Sequence, residues 1–132
     1  MRLVCEAMNR APATIAPEAT VGEARALAAR EGTAHLLVLD AGNLVGILCT
    51  CDLRAGPAGE QVCERMSLPV LTVRPDVTVD DAAATLCECR LGCLPVALGG
   101  LLLGVVGEEE LERAGATRLP RPRHCHRHVQ PR

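Results

Sequence analysis

The sequence predicts a mixed α/β fold of the α+β kind, in which a βαββα unit occurs twice in tandem. The first observation is an internal repeat. Shifted by 58 residues with no gap, residues 4–53 align on 62–111, and self-similarity at one fixed spacing marks a repeated structural unit. Val4, Cys5, Glu6 and Met8 fall on Val62, Cys63, Glu64 and Met66; Thr20, Val21 and Ala24 fall on Thr78, Val79 and Ala82. The second observation is that each copy holds one segment with helical spacing and two short apolar runs, the pattern of a helix followed by a strand pair. The third is a composition of 48% apolar residues without a single Phe, Tyr or Trp. Such a core is built from many small aliphatic contacts, because aromatic anchors are missing.

Each element follows from local chemistry. A short strand is predicted over 13–15, ahead of Pro17, and again over 71–73, ahead of Pro75. A helix runs over about 20–31, with Thr20 as N-cap and Glu23 three residues on, the spacing of a capping box. Its apolar residues Val21, Ala24 and Ala28 recur as Val79, Ala82 and Leu86 in a second helix over 78–89. Two apolar runs, 35–39 and 44–49, are split by Asp40, Ala41, Gly42 and Asn43, which is a hairpin signal. Leu98, Gly99 and Gly100 separate the matching runs of the second copy. A short helix is predicted to begin near Thr50 and near Glu108. Residues 54–59, rich in Gly and Pro, read as the internal linker. The domain reading is therefore a first repeat over 1–56, a second over 57–115, and a basic, His-rich tail over 116–132 that is expected to be disordered.

Charge and cysteine usage exclude several classes. Residues 1–117 hold all 16 acidic groups and nine of the 14 arginines, a net of -7, while the last fifteen residues hold five arginines and no acid. An acidic body is a poor nucleic-acid binder, since phosphate neutralisation dominates that affinity, and the absence of aromatics removes base-stacking platforms. No run reaches the ~18 apolar residues that a membrane span requires, and the first ten residues lack the apolar stretch of a signal peptide. The expected location is cytoplasmic. The eight cysteines then read as reduced and mostly buried. No metal is expected in the body, where the cysteine pairs at i and i+2 lack zinc-ribbon spacing. A low-probability metal tract stands in the tail at His124, Cys125, His126 and His128.

Taken together, the run from Leu36 to Asp40, then Gly46, Ile47, Leu48, Cys49, Thr50, Cys51, Asp52 and Leu53, and their second copy around Leu94, Pro95, Val96 and Gly104 to Leu111, resemble a tandem pair of cystathionine-β-synthase (CBS) domains, a Bateman module. The resemblance covers about residues 4–113. It implies two βαββα units packed about a pseudo-two-fold axis, clefts between the repeats, a homodimer, and an adenosyl ligand such as AMP, ADP, ATP or S-adenosylmethionine whose occupancy is relayed to a regulated protein of unknown identity. No cofactor is required and no catalytic residue is expected.

In that family a G-x-x-[ST]-x-x-D motif supplies a hydroxyl and a carboxylate that accepts the ribose diol. Carried over, Asp52 matches the ribose-binding aspartate and Cys49 stands at the hydroxyl position, with Thr50 beside it. The resemblance also places Thr14, Ile15 and His35 at the cleft, His35 where related modules often carry a basic residue facing phosphate. In the second copy Cys93 matches His35 and Glu110 matches Asp52, a weaker site because glutamate adds a methylene. For Asp52 a helix-capping role explains the residue equally without a ligand, and the two roles are compatible. With lysine absent, His35 and arginines such as Arg10, Arg54, Arg74 or Arg90 are the groups expected to balance phosphate charge, and with the body at -7 a less anionic adenosyl ligand is expected to be favoured over a triphosphate. The competing reading is a structural or thiol-redox-responsive dimerisation module with vestigial clefts, supported by Cys49, Cys51 and Cys93.

Overall fold

Residues 2–68, 71–89 and 92–116 are described by the structure, a computed structural model. The elements in chain order are α1 (Val4–Ala7), β1 (Thr14–Ile15), α2 (Val21–Glu31), β2 (His35–Asp40), β3 (Asn43–Cys49), α3 (Thr50–Ala55), a 3-10 turn (Val62–Glu64), α4 (Val79–Cys89), β4 (Cys93–Leu98), β5 (Leu101–Gly107) and α5 (Glu108–Arg113). The mixed α+β class and the predicted helices and hairpins are all present. Two short elements, α1 and the 3-10 turn, add to the predicted order.

The described residues pack as two compact units, one within residues 13–70 and one from residues 2–12 together with those from 71 to 116. These units are offset from the sequence repeats over 1–56 and 57–115, because each repeat's leading segment joins the other repeat's body. Val62 is buried with Val21, Leu36, Val38, Leu48 and Leu53. Its counterpart Val4 is buried with Val79, Leu94, Val96, Val106 and Leu111. The two cores are thus the same set of repeat positions. Full burial of each such Val or Leu stabilises by roughly 1.5–3 kcal/mol. Residues 54–59 do not separate the units either. The Ala58 and Glu60 carbonyls accept the Gly22 and Val21 N–H groups at 2.9 and 2.7 Å, so this stretch satisfies the exposed donors at the start of α2.

In the 13–70 unit, Thr20 caps α2 as predicted. Its hydroxyl accepts the Glu23 N–H at 3.1 Å, and Glu23 Oε1 accepts the Thr20 N–H at 2.8 Å. Gly32 ends the helix at φ 64°, a left-handed conformation that glycine adopts without a Cβ penalty. β1 pairs parallel to β2, and β2 pairs antiparallel to β3, giving the order β1-β2-β3.

Among the described residues, the named strands of the second unit are β4 and β5, paired antiparallel. Its predicted strand over 71–73 is reduced to a single parallel bridge between Val73 and Val96. The reason is one residue. In the first sheet the Leu37 N–H donates to the Ala13 carbonyl at 3.0 Å. The repeat counterpart of Leu37 is Pro95, which has no N–H to donate, so this ladder stops one bond short.

Candidate functional site

The far end of the β2-β3 hairpin brings four of the predicted residues together. His35 opens β2 directly opposite Cys49, the last residue of β3, and Thr50 begins α3 at once. The Thr50 N–H donates to the Ala34 carbonyl at 3.0 Å, which ties the start of α3 to the entry of β2. Asp52 is the third residue of α3 and half-buried. Its Oδ2 accepts the Cys49 N–H at 3.0 Å. Cys49 is the N-cap, and its Sγ accepts the Cys51 N–H at 3.4 Å. Asp52 therefore plays the capping role from inside the helix, as the carboxylate half of a capping box. One accepted bond leaves most of a carboxylate's roughly four lone-pair sites for further donors, so capping and diol binding are chemically compatible.

His35 is half-buried, with Nε2 inside. The Thr33 hydroxyl accepts the His35 N–H at 3.2 Å and donates to the His35 carbonyl at 3.0 Å, which fixes the backbone where the ring departs. Thr14 and Ile15 lie across β2 from β3, in register with Leu37 and Val38. They share the sheet with His35 but sit two and three residues further along β2, on the opposite side from Cys49. Arg54, one of the arginines expected to balance ligand charge, donates from Nη2 to Cys51 Sγ at 3.4 Å. The other described candidates, Arg10 and Arg74, belong to the second unit, where they engage the Cys5 carbonyl and Asp76. Arg90 lies outside the described residues.

The second unit repeats the arrangement with different chemistry. Cys93 is buried and faces Gly107 across β4-β5. Glu110 Oε1 accepts the Gly107 N–H at 2.7 Å, and its Oε2 lies 3.9 Å from Arg113. The added methylene of glutamate is thus absorbed while the same backbone bond is kept.

A cavity of about 450 Å³ opens in the 13–70 unit between α2, α3 and the loop ahead of β2. Arg25, Ala28, Thr33, Thr50, Leu53 and Arg54 contribute to its lining, whereas Asp52, Cys49 and His35 do not. Thr50 alone is shared with the predicted set. Arg25 is the residue that sequence reasoning missed. Its guanidinium donates to the Leu53 carbonyl from Nε at 2.9 Å and from Nη2 at 2.6 Å, and also reaches the Gly56 carbonyl. It thereby satisfies the C-terminal carbonyls of α3 that a six-residue helix leaves exposed. The available signal was the departure from the repeat: the counterpart of Arg25 is Ala83.

Among the described residues no group of three or more His, Cys, Asp or Glu side chains is placed to hold a metal ion. The tract at His124, Cys125, His126 and His128, with the whole tail from residue 117, lies outside them. No helix among the described residues is long and apolar enough to cross a membrane.

Comparison with known proteins gives the family. Residues 4–59 match the model of the CBS domain. Over 99 residues the chain is 33% identical to inosine-5'-monophosphate dehydrogenase of Thermoplasma acidophilum, which accounts for 74% of this chain but only 20% of that enzyme. Among solved structures, CBSX2 of Arabidopsis thaliana in complex with AMP superposes with a TM-score of 0.79 at 26% identity, covering 86% of this chain and 96% of that one. The CBS domain pair of protein MJ0100, in complex with 5'-methylthioadenosine and S-adenosyl-L-methionine, gives 0.80 at 25% identity, over 86% and 95% of the two chains.

Proposed function

We infer that this chain, a CBS-domain protein with the fold of a CBS-domain pair, is a non-catalytic regulatory module that binds an adenosyl ligand beside Asp52 and relays its occupancy to a partner protein. The observation that carries this reading is the Asp52 carboxylate itself. It is fixed at the start of α3 by the Cys49 N–H at 3.0 Å, at the position that matches the ribose-binding aspartate of the family motif. An oriented, ionised carboxylate accepts both hydroxyls of a diol, and charge-assisted bonds of this kind are the stronger ones. Two similar structures hold AMP, or 5'-methylthioadenosine with S-adenosyl-L-methionine, which supports the ligand class. The adenine is gripped by aliphatic side chains and backbone edges, since the chain has no aromatic ring. Thr50, Cys49, His35, Thr14 and Ile15 complete the site in this reading. Glu110 and Cys93 form a weaker one. The acidic body favours AMP or S-adenosylmethionine over ATP. A homodimer acting in the cytoplasm on an as yet unidentified protein completes the proposal.

Isothermal titration calorimetry with AMP, ATP and S-adenosylmethionine tests it, using wild type, Asp52→Asn and Glu110→Gln. The asparagine keeps an acceptor for the Cys49 N–H, so the helix cap survives while the charge is lost. Affinity is expected to fall at least about tenfold in Asp52→Asn, for the loss of a charge-assisted pair, and to change little in Glu110→Gln. Equal binding by wild type and Asp52→Asn, or no binding of any of the three compounds, would overturn the reading. Tighter binding of ATP than of AMP without magnesium would overturn the preference for a less anionic ligand.

A further inference from the structure

We propose that Cys51 and Cys49 form a peroxide-reactive dithiol, with Cys51 as the nucleophile and Cys49 as the resolving thiol. The first observation is a contact between the two residues. Cys49 Sγ lies 3.4 Å from the Cys51 nitrogen. By covalent geometry a cysteine sulfur is within about 4 Å of its own nitrogen, and residues two apart keep their Cα atoms within about 7 Å. That separation is inside or at the edge of the range that disulfides span, so side-chain rotation with modest adjustment of the turn closes the bond. Neither cysteine is in a disulfide, and the two differ in access: Cys49 is 4% exposed, and Cys51 is half-buried.

The second observation is the cation. Arg54 Nη2 lies 3.4 Å from Cys51 Sγ. A guanidinium in contact with a partly exposed thiol favours the thiolate, which is the reactive form. Asp52 stands next in the chain and opposes this effect, but its Oδ2 is engaged by the Cys49 N–H. Cys63 provides the internal comparison. It is more exposed than Cys51, yet its Sγ contacts the neutral Gln61 Oε1 at 3.7 Å. The second repeat lacks the pair altogether, with Gly107 and Glu109 at the two positions.

The chemistry balances with a hydroperoxide as oxidant. The Cys51 thiolate attacks the peroxide; an S–O bond forms, the O–O bond breaks, and hydroxide or alkoxide leaves and takes a proton. Sulfur is oxidised to the sulfenic acid as the peroxide is reduced. The Cys49 sulfur then attacks Cys51; the S–S bond forms, the S–O bond breaks, and the departing hydroxide leaves as water with the Cys49 proton. The Cys49 sulfur is thereby withdrawn from the Cys51 N–H, which alters the turn that orients Asp52. The site itself depends on the thiols alone and not on the ligand reading.

The test uses the full chain, hydrogen peroxide and peptide mapping. Cleavage after arginine yields residues 31–54 as one peptide whose only cysteines are Cys49 and Cys51. After equimolar peroxide this peptide is expected to lose two hydrogen masses, at a rate several-fold above oxidation of Cys63, because the guanidinium contact favours the reactive thiolate. In Cys49→Ser, whose serine is itself a good N-cap, a dimedone adduct is expected on Cys51. In Arg54→Gln, mapped by cleavage before aspartate, which leaves Cys49 and Cys51 together on residues 40–51, the rate falls several-fold while the far-UV circular dichroism is unchanged. Oxidation of Cys51 no faster than Cys63, no adduct on Cys51 in Cys49→Ser, or an unchanged rate in Arg54→Gln would overturn the proposal.

Discussion

Gly46 and Gly104 occupy the same repeat position, in β3 and β5, and both are buried, yet alanine is expected to cost very different amounts at the two. At Gly46 an added Cβ would lie 2.5 Å from Met66 Sδ and 2.8 Å from Met66 Cγ. These atoms belong to a flexible side chain that fills gaps and re-rotates readily. At Gly104 the Cβ would lie 2.8 Å from Met8 Sδ, but also 2.6 Å from the Asn9 carbonyl oxygen. That oxygen is held in a reciprocal pair: the Val105 N–H donates to it at 3.0 Å, and the Asn9 N–H donates to the Val105 carbonyl at 2.8 Å. Relief of the clash requires the backbone to move and at least one of these bonds to stretch. Overpacking costs about 1–3 kcal/mol, and a strained backbone bond adds about 1 kcal/mol. Gly104→Ala is therefore expected to destabilise by about 3 kcal/mol and Gly46→Ala by about 1 kcal/mol. Urea unfolding followed by far-UV circular dichroism is the assay, because without Trp or Tyr the chain has no intrinsic fluorescence signal. Removing the flexible partner separates the two mechanisms. Met66→Ala should cost about 1 kcal/mol less in the Gly46→Ala background than in wild type, whereas Met8→Ala should not restore Gly104→Ala. A larger loss at Gly46 than at Gly104, or rescue of Gly104→Ala by Met8→Ala, refutes the reasoning.

Arg25→Ala removes the guanidinium from the Leu53 and Gly56 carbonyls; it is expected to cost about 2 kcal/mol, with hydrogen exchange accelerating in α3 before α2. Ala28→Leu installs the side chain that its counterpart Leu86 buries completely and projects it where the cavity lies; cavity filling of this kind should stabilise by about 1 kcal/mol, read as a higher urea midpoint, and a lower one would show that the space is already needed. Asp76 titrates below the ordinary aspartate range because the Arg74 side chain hydrogen-bonds it, a shift that burial partly opposes and Arg74 charge reinforces. A depressed carboxylate contributes stability above its unfolded pKa and loses it as pH falls through the folded value. This pair is exposed and heavily screened, so Arg74→Gln should return the NMR titration midpoint of Asp76 to normal while the acid-unfolding midpoint stays in place.

Helices and hairpins were legible because their signals are local. Thr20 and Glu23 lie three residues apart, and their side chains need only the helix between them to make the capping box. Asp40 to Asn43 turn the chain at Ala41 and Gly42, where φ is 52° and 84°, without reference to anything distant. The reduced strand at Val73 was equally present in the sequence as Pro95, but reading it required knowing that the Leu37 position donates across the sheet. Which body each leading segment joins was not legible at all. A gapless repeat places Met8 and Met66 identically, and only the packing of Met8 on Gly104 and Met66 on Gly46 decides the matter. Asp52 was readable as a charged group at a helix start; the Cys49 N–H that holds it depends on a backbone turn three residues long, and the guanidinium of Arg25 on α3 depends on a contact spanning 28 residues.

The repeat supplies its own control for separating scaffold from chemistry. Positions that must fill a core are shared, or differ only in aliphatic volume: Val21 and Val79, Leu36 and Leu94, Val38 and Val96, Leu53 and Leu111 are buried in both units. At the hairpin end and the helix that follows it the chemistry changes: the counterparts of His35, Cys49, Cys51 and Asp52 are Cys93, Gly107, Glu109 and Glu110. The backbone bond at this turn survives the exchange, since Asp52 and Glu110 both accept the N–H three residues back. A carboxylate of either length therefore meets the structural need. Stability alone does not explain why one unit pairs the shorter carboxylate with a histidine and two thiols. The exchange changes what the turn presents to a ligand or an oxidant while leaving the cap intact, which is why Asp52→Asn and Cys49→Ser, both cap-preserving, are the substitutions that discriminate function from fold.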